Sequence, residues 1–147
     1  MKLVRHVVVI DAADVAATSS FWASLLDGFV VDDDPNFHCV VDADSVWVIG
    51  VQHATDHVPP GWPDGEPGQQ IHLDLHVDDP VEACARAVEL GARPRFTDHD
   101  PTTKSAGFRT FADPAGHPFC IGWGHPTDQA IRDYVAECRA ARRGDAH

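Results

Sequence analysis

The chain reads as an α+β protein that uses one unit twice, a strand, a helix and three further strands, giving two βαβββ modules. Three observations lead there. A strand-like run followed by an Asp-headed helix occurs once in each half. Each helix is followed by three short β-runs separated by turn residues. A Pro/Gly-rich stretch divides the halves.

In the first module, Arg5–Ile10 has the β-branched composition of a strand, and Asp14 stands where a helix cap is needed. Val15–Leu26 then places Val15, Thr18, Phe21, Trp22, Leu25 and Leu26 on one side, as a helix packed on a sheet requires, and Asp27-Gly28 closes it. Phe29–Val31, Phe37–Val41 and Val46–Val51 follow as strands, with Asp42-Ala43-Asp44-Ser45 as a turn. Val58–Gly68, with Pro59, Pro60, Pro63, Pro67 and three glycines, reads as a surface loop anchored by Trp62.

The second module opens with Gln70–Val77. Its helix, Pro80–Leu90, is well marked: Asp79 caps, Pro80 suits the first helical position, Glu82 completes a capping box, and Gly91 ends it. Arg93–Phe96, Gly107–Phe111 and Pro118–Trp123 are its strands, with Asp113-Pro114-Ala115-Gly116 as a turn. The modules are thus 1–54 and 70–124, joined by loop 55–69 into one domain, 1–124. Residues 125–147 form a C-terminal helix and tail. There Ile131, Tyr134, Val135 and Cys138 recur at helical spacing, and Arg139, Arg142 and Arg143 suit the negative end of the helix dipole. That helix packs either on the domain or on a second subunit.

With 147 residues, 44% of them hydrophobic, the chain can build one proper core but not two. A formal charge of −12 argues against a nucleic-acid partner and favours a cationic ligand over an anionic one. No apolar run reaches the roughly 18–20 residues that span a bilayer. The N-terminus lacks the pattern of a secretory leader, so a cytoplasmic location is expected. Cys39, Cys84, Cys120 and Cys138 are scattered within apolar or amphipathic segments and read as free thiols rather than a disulfide framework.

The most informative stretch is His72-Leu73-Asp74-Leu75-His76. Strand alternation sends His72, Asp74 and His76 to one face and the two leucines to the other. The polar face is either a metal or ligand surface or a solvated strand face. Asp74 and His76 are either an internal polar pair, satisfied with Arg109, or a general base with its orienter. Trp22, Phe111 and Trp123 read as core, Trp47 and Phe108 as the apolar floor of a pocket, and the loop residues His53, His57 and His99 as solvated surface.

Several of these segments, in this order, resemble the vicinal oxygen chelate superfamily, which includes glyoxalase, bleomycin-resistance proteins and extradiol dioxygenases. They are Asp14 with Phe21-Trp22 and Leu25-Leu26-Asp27-Gly28, Ile71-His72-Leu73-Asp74-Leu75, Leu90-Gly91-Ala92, and Asp113-Pro114-Ala115-Gly116-His117-Pro118-Phe119-Cys120. The glyoxalase-like branch matches best, over residues 4–124. The resemblance implies mixed sheets curled into a cup around one small-molecule site, in a chain that is commonly a homodimer. It implies either metal-assisted lyase, isomerase or dioxygenase chemistry or metal-free sequestration of an antibiotic or metabolite.

For a divalent ion (zinc, or iron, manganese or nickel) the resemblance carries over His72 from the first strand of module two and Gln52 from the last strand of module one. Cys120 stands where the family has a metal-binding Glu and is expected at least to line the ligand site with Trp47, Phe108 and Arg109. The first strand of module one is ambiguous. The spacing from Asp79 to His72, applied to Asp14, lands on Val7, so His6 is a ligand only if the following loop holds an extra residue.

Overall fold

The computed structural model describes residues 1–62 and 64–144, the last three by backbone alone, so the expectation for Arg142 and Arg143 lies outside the described side chains. The first module is β1 (Val8–Ala12), α1 (Val15–Leu25), β2 (Phe29–Asp34), β3 (Phe37–Val41) and β4 (Trp47–His53). The second is β5 (Leu73–His76), α2 (Pro80–Glu89), β6 (Arg93–Phe96), β7 (Gly107–Ala112) and β8 (Pro118–Trp123), and α3 (Asp128–Gly144) follows. The α+β class and the paired βαβββ order stand as expected. The strands form two separate four-stranded mixed sheets, ordered β1-β4-β3-β2 and β5-β8-β7-β6, open rather than closed into a barrel.

Several boundaries move for a pairing reason. β1 begins at Val8, opposite Ile49, because the residues before it meet no partner strand. β5 keeps only Leu73–His76 because its ladder is the stretch Phe119–Gly122 of β8. Both helix starts use their Asp: Asp14 Oδ1 accepts from Ala17 N at 2.9 Å, and Asp79 Oδ1 from Glu82 N at 3.0 Å.

Alternation divides each sheet into two faces. In the first sheet Val8, Ile10, Ala12, Val40, Ile49 and Val51 face α1; in the second Leu73, Leu75, Phe111, Phe119 and Ile121 face α2, and all belong to one hydrophobic cluster. α1 joins them. It packs on β2, β3 and β4, while its Phe21 and Trp22 rings stand 5.9 and 5.0 Å from Phe119 of the other module. The helix is therefore buried on two sides rather than along the single stripe its sequence suggests, with Ser19 also buried and bonded to His38 Nδ1 at 2.8 Å. Each sheet keeps its other face open, on the side opposite this core.

Polar pins hold the modules together. The Trp22 indole N–H donates to Asp113 Oδ2 at 2.9 Å, His117 Nε2 lies 2.6 Å from the Asp11 carbonyl, and His57 Nε2 lies 2.7 Å from the Ala115 carbonyl. His57 is thus a half-buried tie between modules rather than a solvated loop residue. His99 departs from that reading too, since its Nδ1 accepts from Phe108 N at 3.1 Å and its carbonyl accepts from Arg109 Nε at 2.9 Å.

Cys84 of α2 is buried in the core, and burial pushes its thiol above its ordinary value of 9.0 while the Arg109 guanidinium pulls the other way. Cys39 and Cys120 are raised as well, chiefly by burial. A thiol held protonated by folding stabilises fully below the unfolded pKa, and that contribution is lost as pH rises through the folded one. The urea midpoint is therefore expected to be lower at about pH 10 than at about pH 8, with a shallower decline in Cys84→Ala. An identical decline in both proteins would remove Cys84 from the account.

Candidate metal and ligand site on the second sheet

The open face of the second sheet carries His72, Asp74 and His76 from β5 and its approach. β8 register places Cys120 beside Asp74 and Gly122 beside His76, and β7 adds Phe108 and Thr110. His72, Asp74, His76, Phe108, Cys120, Gly122 and His125 line a cavity of about 180 Å³.

Within it, one donor each from His72, Asp74 and Cys120 lies within 4.8 Å of the others, and this is the metal-capable cluster among the described residues. An ion with ligands at about 2.0–2.3 Å holds donors roughly 3.3–3.8 Å apart, so the set would have to close by up to about 1–1.5 Å around it. Nitrogen, oxygen and thiolate sulfur together are a zinc-type donor set, and three ligands leave a coordination position open, as in catalytic rather than structural sites.

The surroundings of His72 bear on the same point. Its Nε2 is 3.2 Å from Asp74 Oδ1, and its Nδ1 is 2.8 Å from Gln69 Nε2. In this arrangement Gln69 donates to Nδ1, the ring proton sits on Nε2, and Gln69 Oε1 is buried without a partner. Turning the amide over would set its oxygen against an Nδ1–H and free the Nε2 lone pair for an ion, while moving the amide N–H groups into the buried position that the oxygen leaves. Outer partners of metal-bound imidazoles commonly accept the second ring N–H in this way.

The Cys120 thiol is held above its ordinary range, first by burial and also by the neighbouring Asp74 carboxylate, while Thr110, whose Oγ1 is 3.4 Å from Sγ, works in the opposite direction. A free thiol here is protonated at neutral pH. Coordination must displace that proton.

His125 completes the cavity. Gly124 turns the chain at φ 70°, and Gly122 leaves room beneath the returning ring: a Cβ there would lie 3.1 Å from His125 Nε2. The imidazole stands edge-on to His76, ring centroids 4.5 Å apart. Asp74 bonds to His72, so the expected Asp74–His76 pair is replaced by His72–Asp74 and His76–His125.

Four residues expected near the site lie elsewhere in the chain. Arg109 shares a face with Phe111 and Ile121, on the helix side of the sheet, so it neither meets Asp74 nor enters this cavity. Gln52 sits opposite Asp11 and Phe37 on the open face of the first sheet. Trp47 belongs to that sheet too, edge-on to Phe37 at 6.2 Å and beneath the Arg5 guanidinium at 5.6 Å. His6 precedes β1 and is exposed. The shared register matches Val8 to Leu73 and hence Val7 to His72, with no extra residue in the loop, and His6 stands outside the donor cluster.

An α+β chain of paired βαβββ modules, built as two open four-stranded mixed sheets, defines the class. The chain belongs to the glyoxalase-like domain family of the vicinal oxygen chelate superfamily: the family model matches residues 7–122. No curated protein matches the chain.

Solved structures share the fold. A glyoxalase/bleomycin resistance protein/dioxygenase family enzyme from Burkholderia phytofirmans PsJN is 17% identical over 81% of this chain and 97% of its own, with TM-score 0.60. The fosfomycin resistance protein FosX from Mesorhizobium loti is 14% identical over 88% and 98%, with TM-score 0.61. A mutant FosX from Listeria monocytogenes, complexed with Mn(II) and dihydroxypropylphosphonic acid, is 13% identical over 91% and 98%, with TM-score 0.58.

Proposed function

We propose that the open face of the second sheet binds a small oxygen-bearing molecule through a divalent ion, held by His72, Asp74 and Cys120, in metal-assisted lyase, isomerase or dioxygenase chemistry. The observation that carries this reading is the convergence of the three donor types beside a buried, unpartnered Gln69 oxygen. The Mn(II) complex of the Listeria FosX supports metal use in this superfamily. The ion, when bound, would polarise substrate oxygens. His72 supplies an imidazole nitrogen oriented by Gln69, Phe108 an apolar wall, and His76 and His125 further imidazoles beside the bound substrate.

The two open faces support a homodimer. Val9, Phe29 and Phe108 are 49%, 51% and 39% exposed on them, and a partner's first sheet would bring Trp47 and Gln52 over the metal site. Free cysteines suit the reducing cytoplasm, and no helix among the described residues is long and apolar enough to cross a membrane.

A second reading, a metal-free protein that sequesters its ligand, is favoured by the protonated state of the Cys120 thiol. Elemental analysis of protein purified without chelators separates the two. About one zinc, manganese, iron or nickel per chain is expected, and protein that neither carries nor takes up any of them leaves only the binder. Gln69→Ala is expected to weaken zinc binding by roughly 10–100-fold, read by competition with a chromogenic chelator. Unchanged affinity would remove Gln69 from the site.

A further inference from the structure

α3 has the composition of an interface helix and, among the described residues, no extensive packing within its own chain. Ile131, Tyr134 and Val135 are exposed, 49%, 67% and 38%, and with Cys138 they form a single stripe at i, i+3, i+4 and i+7. Among the described residues the helix makes no extensive contact with another element. Seventeen residues of mixed composition are marginal as a free helix, so the stripe needs a partner surface.

Charge identifies that surface. On a chain with 23 acidic and 11 basic residues, α3 holds four arginines against three acidic residues. Arg132 and Arg139, seven residues apart, flank one side of the stripe, while Asp133 and Glu137 fall on the other face. Edge strand β2 offers the complement. Phe29 is half-exposed on the open face of the first sheet, and Asp32, Asp33 and Asp34 follow it, all exposed, with Asp33 close enough to Cys39 to raise its thiol. α3 follows β8 after only Gly124–Thr127.

We propose that α3 is an arm that docks on the first module of a second copy, its apolar stripe over Phe29 and its Arg132/Arg139 flank against Asp32–Asp34. This rests on the homodimer reading and adds the element that secures it. Because α3 leaves the strand that carries Cys120, the arm would hold the partner's first sheet over the metal site.

Light scattering and sedimentation of the full chain test it. Twice the 16.0 kDa chain mass is expected. Ending the chain after Thr127, or combining Ile131→Asp with Tyr134→Asp, is expected to raise the dimer dissociation constant by at least about 30-fold. Asp33→Arg and Arg139→Asp are each expected to weaken the dimer, and to restore it when combined. A dimer unaffected by truncation overturns the arm and leaves the homodimer. A monomeric full chain overturns both. Weakening by each charge change without restoration in the combined variant overturns the β2 docking site.

Discussion

Replacing His72 with alanine is expected to lower zinc affinity by more than about 100-fold, beyond the roughly 10–100-fold that losing an outer-shell partner costs. The side chain is 44% exposed and contributes little to the core, so the variant should keep its fold and thermal midpoint while losing its ion. His76→Ala is the matched control: it lies four residues along the chain on the same strand face, outside the donor cluster, and should retain the metal. The same titrations carry a pH signature. Coordination displaces a proton from Cys120, whose thiol burial holds above its ordinary range, so affinity should fall by about tenfold for each unit of pH lowered. Wild-type affinity in His72→Ala would end the metal reading, and a pH-independent constant would exclude Cys120 as a ligand.

What the sequence made legible follows from which forces act locally. Caps and alternation are local, so Asp14, Asp79 and the His72/Asp74/His76 face could be read from spacing, whereas Cys120 comes only with the family resemblance. The side of Arg109 was legible too: it stands two residues before Phe111, a core residue, and a strand puts such a pair on one face. His6 likewise shares the parity of Val8, which faces the core. Gln69 and His125 were not legible in this way. Gln69 reaches His72 from the loop before β5, and His125 depends on a positive-φ glycine and a bare Gly122, where no periodicity operates. Nor does spacing reveal that α1, packed on the first sheet, also carries the contacts that join it to the second module. That arrangement comes from contacts between distant segments, Trp22 with Phe119 and Asp113 above all.

That last contact is the other place where a single change should have a large effect. Trp22 is 1% exposed, edge-on to both Phe21 and Phe119, and its indole is a hydrogen-bond donor to the fully buried Asp113. Asp113 also accepts from His117 N at 2.8 Å and so shapes the turn that leads into β8. Trp22→Ala empties the centre of the shared core, at about 3–5 kcal/mol for an aromatic-to-alanine change. It also strips a buried carboxylate of a donor, at about 1–3 kcal/mol. Together these approach the whole stability of a domain this size, roughly 5–15 kcal/mol, so the variant should be largely unfolded or recovered as aggregate. Trp22→Phe separates the two contributions. It keeps most of the ring packing, loses the N–H, and should fold with stability lowered by about 1–3 kcal/mol in urea titration. If Trp22→Phe were as stable as the parent, the indole–carboxylate bond would not be what joins the modules, and the aromatic packing alone would carry the junction.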